Sequence, residues 1–137
     1  MVNCYLKFNR NCQEAIALYT KAFGASVNNL QHYGDMPTST HFTLREADRH
    51  LVLLARLIID DTEIMLMDSP EPVNSGDNML VSVTRNDEET IRRAWEMLKQ
   101  EGEVVIDLGP TGVANLHGVV RDKFGINWML TALPPEE

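Results

Sequence analysis

Basic residues are scarce in this chain: 12 Lys and Arg stand against 20 Asp and Glu, a formal charge of -8. Phosphate binding needs clustered cations, so nucleic acid is excluded as a partner. Long apolar runs are missing too. "LVLLA" is broken by Arg56 before "LII", well short of the roughly 18 residues a membrane span requires, so no membrane partner is expected. At the start, Lys7, Arg10 and Glu14 interrupt the apolar core a secretory signal would need, and the chain reads as cytoplasmic. Cysteine is limited to Cys4 and Cys12, which in a reducing compartment read as free thiols. A phosphate loop is lacking: "GPTGVANLHG" has glycines and a proline, but neither the strand-to-helix context nor the Lys. It reads as a connection between strands. With 137 residues, 44% of them hydrophobic, the chain suffices for one domain and is too short for two independent ones.

What is present is a pattern that occurs twice. Asn11-Cys-Gln-Glu14 and Asn86-Asp-Glu-Glu89 each place a capping residue three positions before a Glu, the reciprocal pairing that opens a helix. The first helix carries Ala15, Leu18, Tyr19, Ala22 and Phe23 on one stripe and stops at Gly24. The second carries Ile91, Ala94, Trp95 and Leu98 and is expected to stop at Gly102. Before each helix stands a strand-like run, "VNCYLKF" and "NMLVSV", aligning Asn3 with Asn78 and Phe8 with Val83. Three more strands follow each helix. The last of them, "TEIMLMD" and "INWMLTA", align Met65 with Met129. The unit is β-α-β-β-β, with module one at 1–69, a turn-rich linker at 70–77 and module two at 78–133.

A half-sheet with one helix on one face leaves its other face bare. Two such halves side by side predict an α+β fold whose curved mixed sheet surrounds a cleft for a small-molecule ligand. Residues 34–50, "GDMPTSTHFTLREADRH", have no counterpart in the second half. They are expected as a loop or short helix at the cleft mouth.

"YLKFNRNCQEAIALYTKAFGA", "ARLIIDDTEIMLMDS" and "HGVVRDKFGINWMLTA" together resemble the PhnB-like branch of the vicinal oxygen chelate superfamily. That superfamily holds glyoxalase I, extradiol dioxygenases, fosfomycin resistance proteins and bleomycin-binding proteins. The resemblance covers nearly the whole chain and is weakest at residues 28–50 and 70–77. It implies the glyoxalase/bleomycin resistance-like fold and a homodimer. Members of this branch often carry the name demethylubiquinone methyltransferase. Nothing here resembles the glycine-rich nucleotide loop of a methyl-donor site, so methyl transfer is not expected.

Metal-dependent members of the superfamily hold a divalent cation with His or Gln from the first strand of each module and Glu from the last. Such cations need imidazole and carboxylate donors, and their open positions polarise a substrate's oxygens. On this chain the first-strand positions fall on Asn3 and Asn78 and the last-strand positions on Met65 and Met129. The histidine that the branch carries in "H-A-x-L" is replaced by Leu54. A metal centre is therefore not expected, and no cofactor is implied. Met65 and Met129 read as adaptable apolar walls.

The candidate ligand-binding residues are Tyr5, His41, Glu63, Met65, Met67, Leu80, Ser82, His117, Asn127 and Met129. Alternation places Tyr5 and Lys7 on one face, Leu80 and Ser82 on another, and Glu63, Met67, Asn127 and Thr131 with the methionines. His41 falls in the loop expected at the cleft mouth. His117 falls on a strand expected to line the cleft, with the side chain best matched to proton transfer near neutral pH. His32 and His50 read as surface residues, Asp60-Asp61 as a hairpin turn, and Asp122-Lys123 as a turn in which Asp122 caps neighbouring amides. Trp128, on the opposite face from Met129, is expected to pack under the second helix.

Three readings follow. The first is a metal-independent protein that binds a small molecule of unassigned identity. Two others remain. One is a metal-dependent glyoxalase-type lyase, isomerase or dioxygenase drawing ligands from His41, His117 and acids that the strand alignment misplaces. The other is a drug-sequestering resistance protein, for which the acidic surface would suit a cationic ligand.

Overall fold

The computed structural model describes residues 1–36 and 44–135. Two compact units emerge, one from Met1–Thr20 with Gly24–Val73 and the other from Asn74 onward with Lys21–Phe23. Their elements repeat. The first runs β1 (Tyr5–Phe8), α1 (Cys12–Phe23), β2 (Ser26–His32), β3 (Val52–Ile59) and β4 (Thr62–Asp68). The second runs β5 (Val81–Arg85), α2 (Glu88–Leu98), β6 (Glu103–Gly109), β7 (Leu116–Arg121) and β8 (Asn127–Ala132). Each forms a four-stranded mixed sheet, ordered β1-β4-β3-β2 and β5-β8-β7-β6, in which only the first pair, β1 with β4 and β5 with β8, is parallel. This is the expected α+β arrangement of two β-α-β-β-β modules.

Within the polar insertion, single 3₁₀ turns form at Tyr33–Asp35 and Glu46–Asp48. His41 lies outside the described residues. Among the described residues no helix is long and apolar enough to cross a membrane.

One face of each sheet packs against helix. In the first unit Phe8, Ala55, Leu57 and Leu66 are buried on this face with Ala15 and Tyr19 of α1, and the Phe8 and Tyr19 rings lie 6.2 Å apart. In the second, Val83, Val120, Trp128 and Leu130 are buried with Ile91, Ala94, Trp95 and Leu98 of α2. Each large side chain removed from water contributes about 1.5–3 kcal/mol. Trp95 reaches its place because residue 118 is glycine: a Cβ there would lie 2.8 Å from the indole and 2.9 Å from the Leu108 Cα. Trp128 packs against Phe23 in a tilted ring contact, with centroids 4.9 Å apart.

The helix starts differ from the sequence expectation. Asn11 makes no side-chain cap. Instead Asp68, from the end of β4, accepts the Cys12 N–H at 2.9 Å and the Val52 N–H at 2.9 Å. A tertiary contact has taken over the local cap, and it ties α1 to β3. In α2 the cap is Asp87 in place of Asn86, accepting from the Thr90 N–H. An aspartate favours this position doubly, since its charge also meets the positive end of the helix dipole. Gly24 does close α1 in the left-handed conformation, but α2 ends at Leu98 with Lys99 as its cap. Gly102 has another reason to be glycine: a Cβ there would collide with the Arg121 carbonyl oxygen.

Register corrects the repeat as well. Tyr5 pairs with Met65 and Ser82 with Met129, so Tyr5 corresponds to Ser82, two residues further along than the alignment of Asn3 with Asn78 implies. Asn3, Asn78 and Leu80 all precede the strands. Because the offset is even, every side chain keeps its face.

Candidate functional site

The sheet faces turned away from the helices carry the functional candidates. On the first sheet, the pairings set three rows. Ser26, Ile58 and Glu63 form one, Asn28, Arg56, Met65 and Tyr5 the next, and Gln31, Leu54, Met67 and Lys7 the third. Met65 is 4% exposed, while Leu54, Arg56, Ile58, Glu63 and Met67 are half-buried and Tyr5 and Lys7 exposed. The Arg56 guanidinium donates through Nη1 to Glu63 Oε1 at 3.0 Å. Its Nε is buried with no hydrogen-bond partner among the described residues. Thus a charged pair and two thioethers share one face, with a phenol at its edge.

The second sheet presents Ser82 and Thr84 from β5, Asn127, Met129 and Thr131 from β8, and His117, Val119 and Arg121 from β7. His117 Nδ1 lies 3.1 Å from the Thr131 hydroxyl, a contact that orients the imidazole. Across the ladder from His117 is Gly109, where an added Cβ would meet nothing within 4 Å. The imidazole therefore has open space on its β6 side.

Asn127 does not offer free polar groups on this face. Its amide donates to the carbonyls of Gly76 and Met79 at 2.7 and 3.2 Å and accepts from Arg121 Nε at 3.0 Å. Arg121 also donates to the Gly76 carbonyl, and Ser75 to that of Gly125. These contacts hold residues 75–79 against the β7–β8 hairpin. Leu80, ahead of β5, is 40% exposed.

The buried carboxylates are committed to structure. Asp122 Oδ1 accepts the N–H groups of Phe124 and Ile126, and Oδ2 accepts the Trp128 indole N–H at 2.9 Å, the capping role read from the sequence. Asp48 accepts from Arg10 Nη1 at 2.6 Å and Arg45 Nε at 2.7 Å. The Arg10 and then the Arg45 hydrogen bonds hold its carboxyl below the usual range. Asp60 and Asp61 form the β3–β4 turn, Asp60 at φ 55°. His32 is half-buried, 3.7 Å from Asp35, and His50 is exposed. Cys4 and Cys12 are free thiols, and burial, followed by the Asp68 charge, pushes the Cys12 thiol up.

Sequence reasoning passed over Arg56. The signal was present: one Arg inside "LLARLII", on the opposite face from Ala55, Leu57 and Ile59, two strand positions from Leu54. Among the described residues no group of three or more His, Cys, Asp or Glu side chains is placed to hold a metal. The centre of the last strand in both sheets offers a thioether, with Tyr5 and Ser82 as cross-strand neighbours.

Known structures share this architecture. Protein PA1353 from Pseudomonas aeruginosa is 26% identical, with a TM-score of 0.85 over 98% of both chains. A Bacillus cereus PhnB protein, titled a putative 3-demethylubiquinone-9 3-methyltransferase, is 25% identical, with a TM-score of 0.77 over 96% of this chain and 98% of that one. The Listeria monocytogenes fosfomycin resistance protein FosX, in a mutant form complexed with Mn(II) and a dihydroxypropylphosphonic acid, shares the fold at a TM-score of 0.65. It is 12% identical, over 96% of this chain and 90% of that one. The family described as 3-demethylubiquinone-9 3-methyltransferase matches residues 1–131. The chain belongs to that PhnB-like family, within the fold shared by the vicinal oxygen chelate proteins.

Proposed function

We propose that this chain is a small-molecule-binding member of its family that works without the divalent metal centre of the metal-dependent chelate enzymes. One observation carries the reading: the last-strand positions where the resemblance implies metal-binding carboxylates hold Met65 and Met129, and their cross-strand neighbours are Tyr5 and Ser82. A thioether is soft and uncharged, and a neutral phenol or hydroxyl beside it does not restore the charge that Mn, Fe, Ni or Zn sites rely on. The helix-free face of each sheet, taken by itself, has the mixture small organic ligands require, an apolar floor with a few fixed polar groups. Arg56–Glu63 supplies these on one sheet and His117–Thr131 on the other. No reaction step is assigned to these residues.

Thermal unfolding with and without Zn, Ni, Mn and Fe(II) tests the reading. The expected result is a melting temperature unchanged by any of the four. An increase of several degrees that disappears in His117→Ala or His41→Ala overturns it, because specific binding to the native state raises stability by mass action.

A further inference from the structure

The first sheet's helix-free face has a charge opposite to that of the whole chain. The chain is acidic by -8, yet the charged residues that the strand register brings to this face are Lys7, Arg56 and Glu63, two cations and one carboxylate. Among the described residues Glu63 engages only Nη1 of Arg56, and a guanidinium has five N–H donors. The row of Lys7 holds Gln31, Leu54 and Met67 and no acid. Lys7 and Arg56 stand on the two strands that flank β4, with Met65 and Met67 between them.

We propose that this face binds an organic anion: a carboxylate or comparable oxyanion attached to an apolar, preferably aromatic, body. The oxyanion takes the Arg56 donors that Glu63 leaves unused and the Lys7 ammonium. The apolar body lies on the Met65 and Met67 thioethers, which adapt to flat rings and make favourable sulfur–aromatic contacts. Tyr5 closes the edge. Glu63 holds the guanidinium plane in place in the free protein, and it also competes with the ligand for it. A cationic ligand, which the net charge alone would suggest, meets two like charges here. The inference rests on the small-molecule reading above and names the ligand class for one of its faces.

The test uses two probes with the same body and opposite charge, 4-phenylbutyrate and 4-phenylbutylamine. Each is titrated into full-length protein labelled with ¹³C at the methionine methyls. The chain has seven methionines, and Met65→Leu and Met67→Leu variants assign the two signals. Phenylbutyrate is expected to shift both signals saturably and the amine to leave them in place. Lys7→Gln, an exposed position, and Arg56→Gln are each expected to weaken phenylbutyrate by about tenfold. Glu63→Gln is expected to strengthen it. If both probes shift the methyls equally, or if Lys7→Gln and Arg56→Gln leave the affinity unchanged, the anion inference falls while the small-molecule reading stands. If neither probe shifts any methionine methyl at millimolar concentration, the reading falls for this face, and the inference with it.

Discussion

Replacing Asp122 with Ala removes an acceptor that three donors share, and the cost follows from their number. Phe124 and Ile126 donate backbone N–H groups to one carboxylate oxygen and Trp128 its indole N–H to the other, with the residue 3% exposed. Each buried donor left without a partner costs about 1–3 kcal/mol. Partial rescue by water brings the sum to roughly 3–5 kcal/mol, about a fifth or more of the ~5–15 kcal/mol that stabilises a domain of this size. Asp122→Asn keeps one oxygen for the two backbone donors but turns an NH₂ group toward the indole N–H, for a cost of roughly half as much. In the Trp128→Phe background that donor–donor conflict is gone. The double mutant Asp122→Asn/Trp128→Phe is therefore more stable than the two single losses sum to, by about 1–2 kcal/mol. Urea unfolding followed by far-UV circular dichroism measures the parent and all four variants, since Trp128 is itself altered. A loss below about 1 kcal/mol in Asp122→Ala, or additivity within about 0.5 kcal/mol, refutes the reasoning.

Three further predictions come from the same geometry. Gly118→Ala pushes a methyl group against the Trp95 indole on one side and Leu108 backbone on the other. It should lower stability by about 1–3 kcal/mol, and Trp95→Leu in the same chain should recover part of the loss in thermal melts. Cys12 is fully buried and its thiol pushed up, while Cys4 is exposed. A colorimetric disulfide reagent should therefore titrate one thiol per native chain and two in denaturant, and rapid reaction of both in the native protein would contradict the structure. Asp87 has a carboxyl lowered to about 2, first by the Arg85 hydrogen bond and then by Thr90. A depressed carboxyl contributes stability that is present above its unfolded value, roughly 4, and is lost as pH falls through its folded one. The fall in urea midpoint between pH 5 and pH 2.5 should be smaller in Asp87→Asn than in the parent chain, and an equal fall would exclude this role.

Sequence alone carried the order of elements because the signals for it are local. The stripe Ile91, Ala94, Trp95, Leu98 marks α2, Gly24 marks the end of α1, and Asp60-Asp61 marks a hairpin. Face assignment also survived, since Tyr5 and Lys7 do share a side with Met65 and Met67, as Ser82 does with Met129. What stayed illegible depends on partners distant in the chain. The first strand of each unit pairs in parallel with its last, about sixty residues away in the first unit, and hydrophobic alternation fixes a face without fixing an even offset along it. The α1 cap was equally hidden: Asn11 is the locally favoured residue, but Asp68 satisfies the helix from 56 residues away. Asn127 looked like a free amide on an inward face, and only the path of residues 75–79 shows it saturated. Arg56 was visible as an anomaly in an apolar strand. Its meaning required Glu63 beside it.

With Met65 and Met129 in the last strands where charged donors would be needed, the chain as proposed forms no metal centre. Elemental analysis of protein purified without chelators, from cells grown with added manganese, iron, nickel and zinc, tests it most directly. Metal far below one ion per chain is expected for every element. One ion retained per chain through gel filtration, and lost on substituting His117 or His41, would contradict it.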